Sequence, residues 1–182
     1  IEDAAQAFLC TYKKKPLGTI GDFGCFSFHN TKVFSAGEGG AIVVKNEEDW
    51  KKAVIWRDKG TNRQKFYEGK VDKYGWVGSG TNSLMSELNA TFLISQIKNR
   101  DMILKKRERL FNRYLDVFTK LFRTILQPSY NQLNYHFFYF LIDRNLQAKE
   151  MLAFLNEHGI QAVQHYSALH RSTYAKENNL LP

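Results

Sequence analysis

Three short segments near the start of the chain carry side chains able to do chemistry together: Glu2-Asp3-Ala4-Ala5-Gln6, Phe26-Ser27-Phe28-His29-Asn30-Thr31-Lys32 and Gly37-Glu38-Gly39-Gly40. A strand that ends near Ser27 and runs into a tight polar turn places Lys32 at the carboxyl edge of a sheet, where open α/β folds bind ligands. A lysine at such an edge loses its charge readily when desolvated, which suits Schiff-base chemistry with a carbonyl group. Three glycines within four residues permit positive φ and let backbone approach a ligand closely. Taken alone, these features describe a surface lysine followed by a turn more readily than a reactive site.

The elements that would position them follow from periodicity and capping. Short apolar runs at 25–28 and 40–44 read as strands, in an alternation with amphipathic stretches that argues for an α/β arrangement. Asn46 is placed to cap a helix over 47–59, with Glu47, Glu48 and Asp49 at its positive end and Gly60 closing it. Residues 60–83 show no sustained period and read as a long loop. Between Thr81 and Gln127 there is neither Gly nor Pro, and apolar residues recur at helical spacing, so the region is one long helix or two. The polar cluster Lys98-Asn99-Arg100-Asp101 is the expected break, with Asp101 or Asn99 capping the second helix. Beyond Pro128 the pattern predicts a strand over 135–142, a helix over 147–158 ended by Gly159, and a strand over 160–164. A second, smaller α/β unit is expected from about residue 102, dividing the chain into 1–101 and 102–182.

At 182 residues, with 43% hydrophobic, 14% aromatic and 24% charged residues, the composition is that of a globular chain and not of a disordered one. A chain of this size buries about 70% of its unfolded surface. The longest dense apolar run, 137–142, is strand-sized and far short of the ~18–20 residues that a membrane-spanning helix needs. The net charge of +8 admits an anionic partner, and a basic nucleic-acid-binding module is the competing class, although no nucleic-acid motif is present. The runs Lys13-Lys14-Lys15 and Lys105-Lys106-Arg107 read as solvated faces. Cys10 and Cys25 lack CxxC spacing, so neither a disulfide framework nor a thiolate zinc site is suggested, and a reducing cytoplasm fits best. The chain begins at Ile1 with no signal-peptide pattern, as though inside a longer protein.

The order and wording of the three segments closely resemble the sugar aminotransferases that use pyridoxal phosphate, the DegT/DnrJ/EryC1/StrS family within the aspartate-aminotransferase fold. The resemblance continues through Lys59-Gly60-Thr61-Asn62-Arg63, Val71-Asp72-Lys73-Tyr74, Leu84-Met85-Ser86-Glu87-Leu88 and His165-Tyr166-Ser167-Ala168-Leu169-His170. It implies the C-terminal portion of a fold type I enzyme: part of the large mixed-sheet domain, then a small α/β domain. It also implies pyridoxal 5'-phosphate held as a Schiff base at Lys32, which then shuttles the proton between substrate and cofactor. Asp3 matches the carboxylate that pairs with the pyridinium nitrogen, so that the ring accepts carbanion charge. Gln6 matches the amide beside the ring's 3′-oxygen and Ser27 the hydroxyl on the phosphate, while His29 and His165 are expected near the substrate. The wording is most similar to family members that aminate C4 of a dTDP-linked 4-keto-6-deoxy sugar, with glutamate as donor, for bacterial surface polysaccharide. Lys59, Arg63 and Lys73 are the basic residues expected to meet the nucleotide diphosphate.

The resemblance further implies a homodimer whose cofactor pocket draws on both chains, and it implies no metal. It has two departures. The asparagine that in many relatives reaches the neighbouring subunit's cofactor phosphate falls here at Leu84, with Asn82 or Ser83 as substitutes. The family's N-terminal phosphate loop and ring-stacking aromatic have no counterpart, so these 182 residues alone are expected to be inactive.

Overall fold

A three-stranded sheet carries the lysine segment. Its strands are β1 (Glu2–Asp3), the central β4 (Phe23–Ser27) and β5 (Gly40–Val44), in the order β1-β4-β5. β1 runs parallel to β4, with Asp3 beside Cys25, and β5 runs antiparallel to it, with Ser27 beside Gly40. Because β1 and β4 are parallel, their carboxyl ends share one edge, and the segments after Asp3 and Ser27 leave the sheet together. Between them β2 (Thr11–Tyr12) and β3 (Lys15–Pro16) form a small separate hairpin. The structure is a computed structural model, and it describes residues 1–124, 128–142, 148–164, 166 and 168–180. None of its helices is long and apolar enough to cross a membrane, among the described residues.

The expected elements mostly form, with shifted ends. The first strand spans 23–27 and not 25–28, since Phe28 turns inward and its N–H donates to Gly39 O at 2.8 Å. Helix α1 (Glu47–Arg57) is capped as expected: Asn46 Oδ1 accepts from Glu48 N at 2.8 Å and Asp49 N at 3.2 Å. Gly60 does close it, at φ +74, donating its N–H to Ile55 O at 2.9 Å. A side chain at Gly60 would run into the carbonyl of Gly78, so the position requires glycine both for its left-handed backbone and for the close approach. The 60–83 loop holds one short helix, α2 (Arg63–Tyr67).

The long helical region is two helices, α3 (Glu87–Lys98) and α4 (Arg100–Phe118), parted at Asn99 within the expected polar cluster. Asn99 stands at the N-cap of α4, but its side chain makes no capping bond; the amide instead donates back to Ser95 O at 2.8 Å. Helix α3 starts at Glu87, just past the 60–83 loop: Thr81 N and Ser83 N are taken by Trp56 O and Arg57 O, and Ser86 Oγ accepts from Asn89 N as the cap. The expected strands over 135–142 and 160–164 do not form. Tyr135 sits at φ +55, and the Arg107 guanidinium takes the Tyr135 and His136 carbonyls at 3.0 and 3.1 Å, oxygens that a ladder would have used. At the second segment the Asn156 side chain bonds both Ala162 O and Ala162 N in place of a partner strand. The contacts divide the chain into units Ile1–Tyr139 and Phe140–Pro182, so α4 belongs with the sheet.

In the first unit the core lies beneath the lysine segment. Phe28, Val33, Phe34, Ala36 and Leu93 are buried, and Phe34 is completely enclosed at 1% exposure. The Phe8 ring meets Phe26, Phe28 and Phe34 edge-on at centroid distances of 5.6, 5.1 and 5.6 Å. Phe34→Ala is therefore expected to cost about 3–5 kcal/mol, measured as a lower midpoint of denaturant unfolding in the native protein; an unchanged midpoint would show that this cluster does not hold the segment. The second unit holds α5 (Ala148–Glu157), ended as expected by Gly159 at φ +76, and the short α6 (Thr173–Glu177), with Leu155 and Ala175 buried.

Candidate functional site

Lys32 stands in a loop closed at both ends. Phe28 N donates to Gly39 O and Ala36 N to Phe28 O at 2.7 Å, while Lys32 N donates to His29 O at 3.0 Å and completes the tight turn. From the far side, the Gln96 amide on α3 accepts from Ser35 N at 3.2 Å and donates to Ser35 O, and Asn89 Nδ2 donates to Glu38 O at 3.1 Å. With Val33 and Phe34 locked in the core immediately after it, Lys32 has its backbone fixed while its side chain stays half-buried. Its amine has neither an ion pair nor a hydrogen bond among the described residues.

A narrow cleft brings Lys32 together with Gln6 and Ser27. Phe8, Val33 and Phe34 give it apolar walls, and Asn134 and His136 line it as well. Ser27 is the last residue of β4, half-buried, and its Oγ accepts from His29 N at 3.3 Å. Asp3 does not line this cleft. It ends the neighbouring parallel strand, solvent-exposed, with Oδ1 accepting from Ala5 N at 3.1 Å, and Ala5 is a lining residue. The residue before it is anchored elsewhere: the Glu2 carboxylate takes the N–H groups of Gly18, Ile20 and Gly21 at 2.9, 2.6 and 2.6 Å. The bonds from Gly21 and Gly18 hold that carboxyl below the usual range. Because its folded value is depressed, the stability it contributes is present above its unfolded pKa and is lost as pH falls through the folded one.

His29 does not line the cleft. Its Nδ1 lies 2.9 Å from Thr31 Oγ1 and its Nε2 3.5 Å from Glu38 Oε1, so the ring ties the lysine turn to the glycine-rich loop. His165 lies outside the described residues. Of the three basic residues expected near a diphosphate, Lys59 and Arg63 both meet Asp58, whereas Lys73 is exposed. Among the described residues no group of three or more His, Cys, Asp or Glu gathers as a metal site.

Two polar residues that sequence reasoning passed over complete the cleft. Asn134, 5% exposed, donates through Nδ2 to Gln6 O at 2.8 Å and Phe8 O at 3.0 Å, and so holds the turn that presents Gln6. His136 follows two residues later, its carbonyl held by Arg107. Between them Tyr135 donates its hydroxyl to Glu108 at 2.8 Å; burial, with Glu108 adding to it, pushes the phenol up to about 12. The available signal was His136 interrupting the aromatic run from Tyr135 to Phe140, with Asn134 immediately before it.

An amine, a hydroxyl and an amide in one cleft, with a carboxylate at the adjoining strand end, can hold a small anionic heterocycle bearing an aldehyde. For such a ligand the amine would bond the aldehyde carbon, the hydroxyl would meet an anionic arm, and the carboxylate would pair with a protonated ring nitrogen.

Comparison with known proteins bears on this arrangement. Residues 1–181 match the family model described as the DegT/DnrJ/EryC1/StrS aminotransferase family. A UDP-4-amino-4,6-dideoxy-N-acetyl-beta-L-altrosamine transaminase of Campylobacter jejuni is 29% identical over 181 residues, covering 97% of this chain and 47% of that protein. GDP-perosamine synthase of Caulobacter vibrioides is 29% identical over 139 residues, 76% of this chain and 36% of that one. Among solved structures, Helicobacter pylori PseC, an aminotransferase involved in the biosynthesis of pseudoaminic acid, superimposes with a TM-score of 0.83 at 24% identity, over 96% of this chain and 47% of that one. The architecture is thus that of the fold type I sugar aminotransferases, and the chain spans about half the length of the curated relatives it matches, or less.

Proposed function

Because this chain belongs to the DegT/DnrJ/EryC1/StrS aminotransferase family, we propose that it carries the lysine-bearing part of a pyridoxal-phosphate enzyme that moves an amino group from glutamate to a nucleotide-linked keto sugar. The observation that carries this reading is the cleft in which Lys32, Ser27 and Gln6 meet, beside the strand end that holds Asp3. The residues fit the cofactor: Lys32 Nζ would be the covalent attachment point, Ser27 Oγ would donate to the phosphate, Gln6 would reach the ring's 3′-oxygen and Asp3 would pair with the ring nitrogen. Once bound, the cofactor supplies an electron sink for the carbanion left when a substrate carbon loses its proton.

The chain's own residues do the rest. Lys32, once released by the incoming amine, would act as a base that takes the proton from the substrate carbon and delivers it to the cofactor carbon on the other side of the transferring nitrogen, and the fixed 28–39 loop keeps its Nζ in reach. His29 acts by holding the lysine turn against Glu38. His165 is the substrate-contact residue that the family resemblance implies. Both stages end with an exchanged amine, so the same lysine serves donor and acceptor.

The acceptor is a dTDP-4-keto-6-deoxy sugar aminated at C4 for bacterial surface polysaccharide, a reading supported by the Lys59-Gly60-Thr61-Asn62-Arg63 and Val71-Asp72-Lys73-Tyr74 wording. The UDP- and GDP-linked names of the relatives favour a second reading, the same reaction on another nucleotide sugar. The enzyme works as a homodimer in the cytoplasm. Support for a covering partner comes from Trp50, Trp56 and Trp76, which stand 48%, 55% and 82% exposed. Assaying the native protein with glutamate and a panel of dTDP-, UDP- and GDP-linked keto sugars tests the assignment. Amination of the dTDP-4-keto sugar at the highest kcat/KM is expected; preference for another nucleotide selects the second reading, and no turnover on any panel member overturns both.

A further inference from the structure

Asp3 and Gln6 sit on one short segment, yet they are held by different means. Asp3 closes β1 in register with Cys25, and the pairing ends one residue later, where Ala4 N donates to Cys25 O at 3.0 Å. Glu2, its carboxylate on three backbone N–H groups, anchors the same strand. Gln6 lies beyond the last of these bonds. From there to Cys10 the chain folds in two turns, Ala7 N donating to Ala4 O and Cys10 N to Ala7 O, each at 2.9 Å. Those turns use the carbonyls of Ala4 and Ala7 and leave those of Gln6 and Phe8 to find partners elsewhere.

One side chain takes both. Asn134, 128 residues from Gln6 and 126 from Phe8, donates through Nδ2 to Gln6 O at 2.8 Å and to Phe8 O at 3.0 Å, and its backbone N–H donates to the Cys10 sulfur. Two carbonyls need two N–H groups, which an amide supplies and a carboxylate of the same shape does not. Between Phe8 and Cys10 stands Leu9 at φ +63, a left-handed conformation that is costly for a residue with a Cβ. The Asn134 bonds fall on either side of it and hold a turn that would otherwise relax. Asn134 is itself fixed. It is 5% exposed, Gln132 O takes Thr11 N at 3.0 Å before it, and Arg107 takes the Tyr135 and His136 carbonyls after it. Both Gln6 and Asn134 line the lysine cleft.

We propose that Asn134 is a positioning residue for the cofactor: by fixing the Gln6 backbone it sets the Gln6 amide against the ring's 3′-oxygen, and so acts on the ring as well as on the fold. This rests on the functional reading above, and it separates Gln6, which depends on Asn134, from Asp3, which the sheet and Glu2 hold.

Two readouts of the native protein loaded with pyridoxal phosphate test it: the dissociation constant of the cofactor, and the pH titration of its visible absorbance when bound. An N–H on the 3′-oxygen favours the anionic form of that oxygen. Losing the contact is therefore expected to raise the absorbance midpoint by about 0.5–1 pH unit, the worth of one hydrogen bond. Gln6→Ala is expected to show this rise together with a ~3–10-fold weaker cofactor affinity. Asn134→Ala is expected to move both readouts in the same direction, and to add less than ~2-fold on top of Gln6→Ala because its effect passes through Gln6. Asn134→Asp, equal in shape but without the N–H groups, should act at least as strongly. Asn134→Ser, with one donor left, should fall between wild type and Asn134→Ala, and it keeps the test open if the other two variants do not fold. A purely structural role lowers the unfolding midpoint and leaves the absorbance titration at its wild-type position. Asn134 variants with wild-type titration and affinity, or with losses that add in full to those of Gln6→Ala, overturn this proposal alone. A titration indifferent to Gln6→Ala overturns the Gln6 assignment and the proposal with it, whereas a wild-type protein that takes up no cofactor overturns the functional reading as well.

Discussion

Replacing Lys32 with alanine is expected to lower transamination by at least about 10⁴-fold, the upper range for losing a positioned proton-transfer group, because the change removes the covalent anchor and the base in one step. The loss should not come from unfolding. The Lys32 amine makes no hydrogen bond or ion pair among the described residues, and the loop is held by backbone bonds from Phe28, Lys32 and Ala36 and by Gln96 from α3. Lys32→Arg sharpens the argument: it keeps the positive charge yet offers no amine able to bond an aldehyde or to act as base near neutral pH. Both variants are expected to fold, as judged by circular dichroism and unfolding midpoint, and both to be inactive. An active Lys32→Arg would mean that charge, and not nucleophilicity, is what this position supplies.

Asp3→Asn is expected to lower kcat by about 10²–10³-fold, the cost typical of deleting one electrostatic contact that strengthens in the transition state, with little change in KM. The amide is isosteric and retains an oxygen for the Ala5 N–H, so the end of β1 should hold its geometry. In the proposed role, what would be lost is the negative charge that keeps a ring nitrogen protonated. The diagnostic is a split between two readouts: cofactor still attached at Lys32, but proton removal from substrate slowed. If Asp3→Asn turned over at the wild-type rate, the exposed carboxylate would be a strand-end cap for Ala5 and nothing more.

How far the sequence could be read depended on whether its signals were local. The Asn46 cap, the strand 40–44, Gly60 and Gly159 are set by residues next to one another, and each appears where the pattern places it. The break at Asn99 was legible because four polar residues interrupt an apolar period. The expected strand at 135–142 was not, since an aromatic run looks like a strand while the carbonyls at 135 and 136 are claimed by Arg107, 28 and 29 residues away. The loop before α3 is held in a like way, with Thr81 and Ser83 taken by the backbone at the end of α1. At the site, Lys32, Ser27 and Gln6 were nameable from wording and do meet in one cleft. Asn134 and Asp58 were not, because a buried polar residue declares itself only through partners distant in sequence, Gln6 and Phe8 in one case and Arg63 in the other.

The proposed function requires pyridoxal phosphate to be joined to Lys32. Reduction of the native protein with borohydride, followed by proteolysis and mass mapping, tests this directly. The account predicts the reduced cofactor on the peptide containing Lys32 and on no other. Label on a different lysine, or a cofactor-loaded protein from which no peptide retains label, would contradict it.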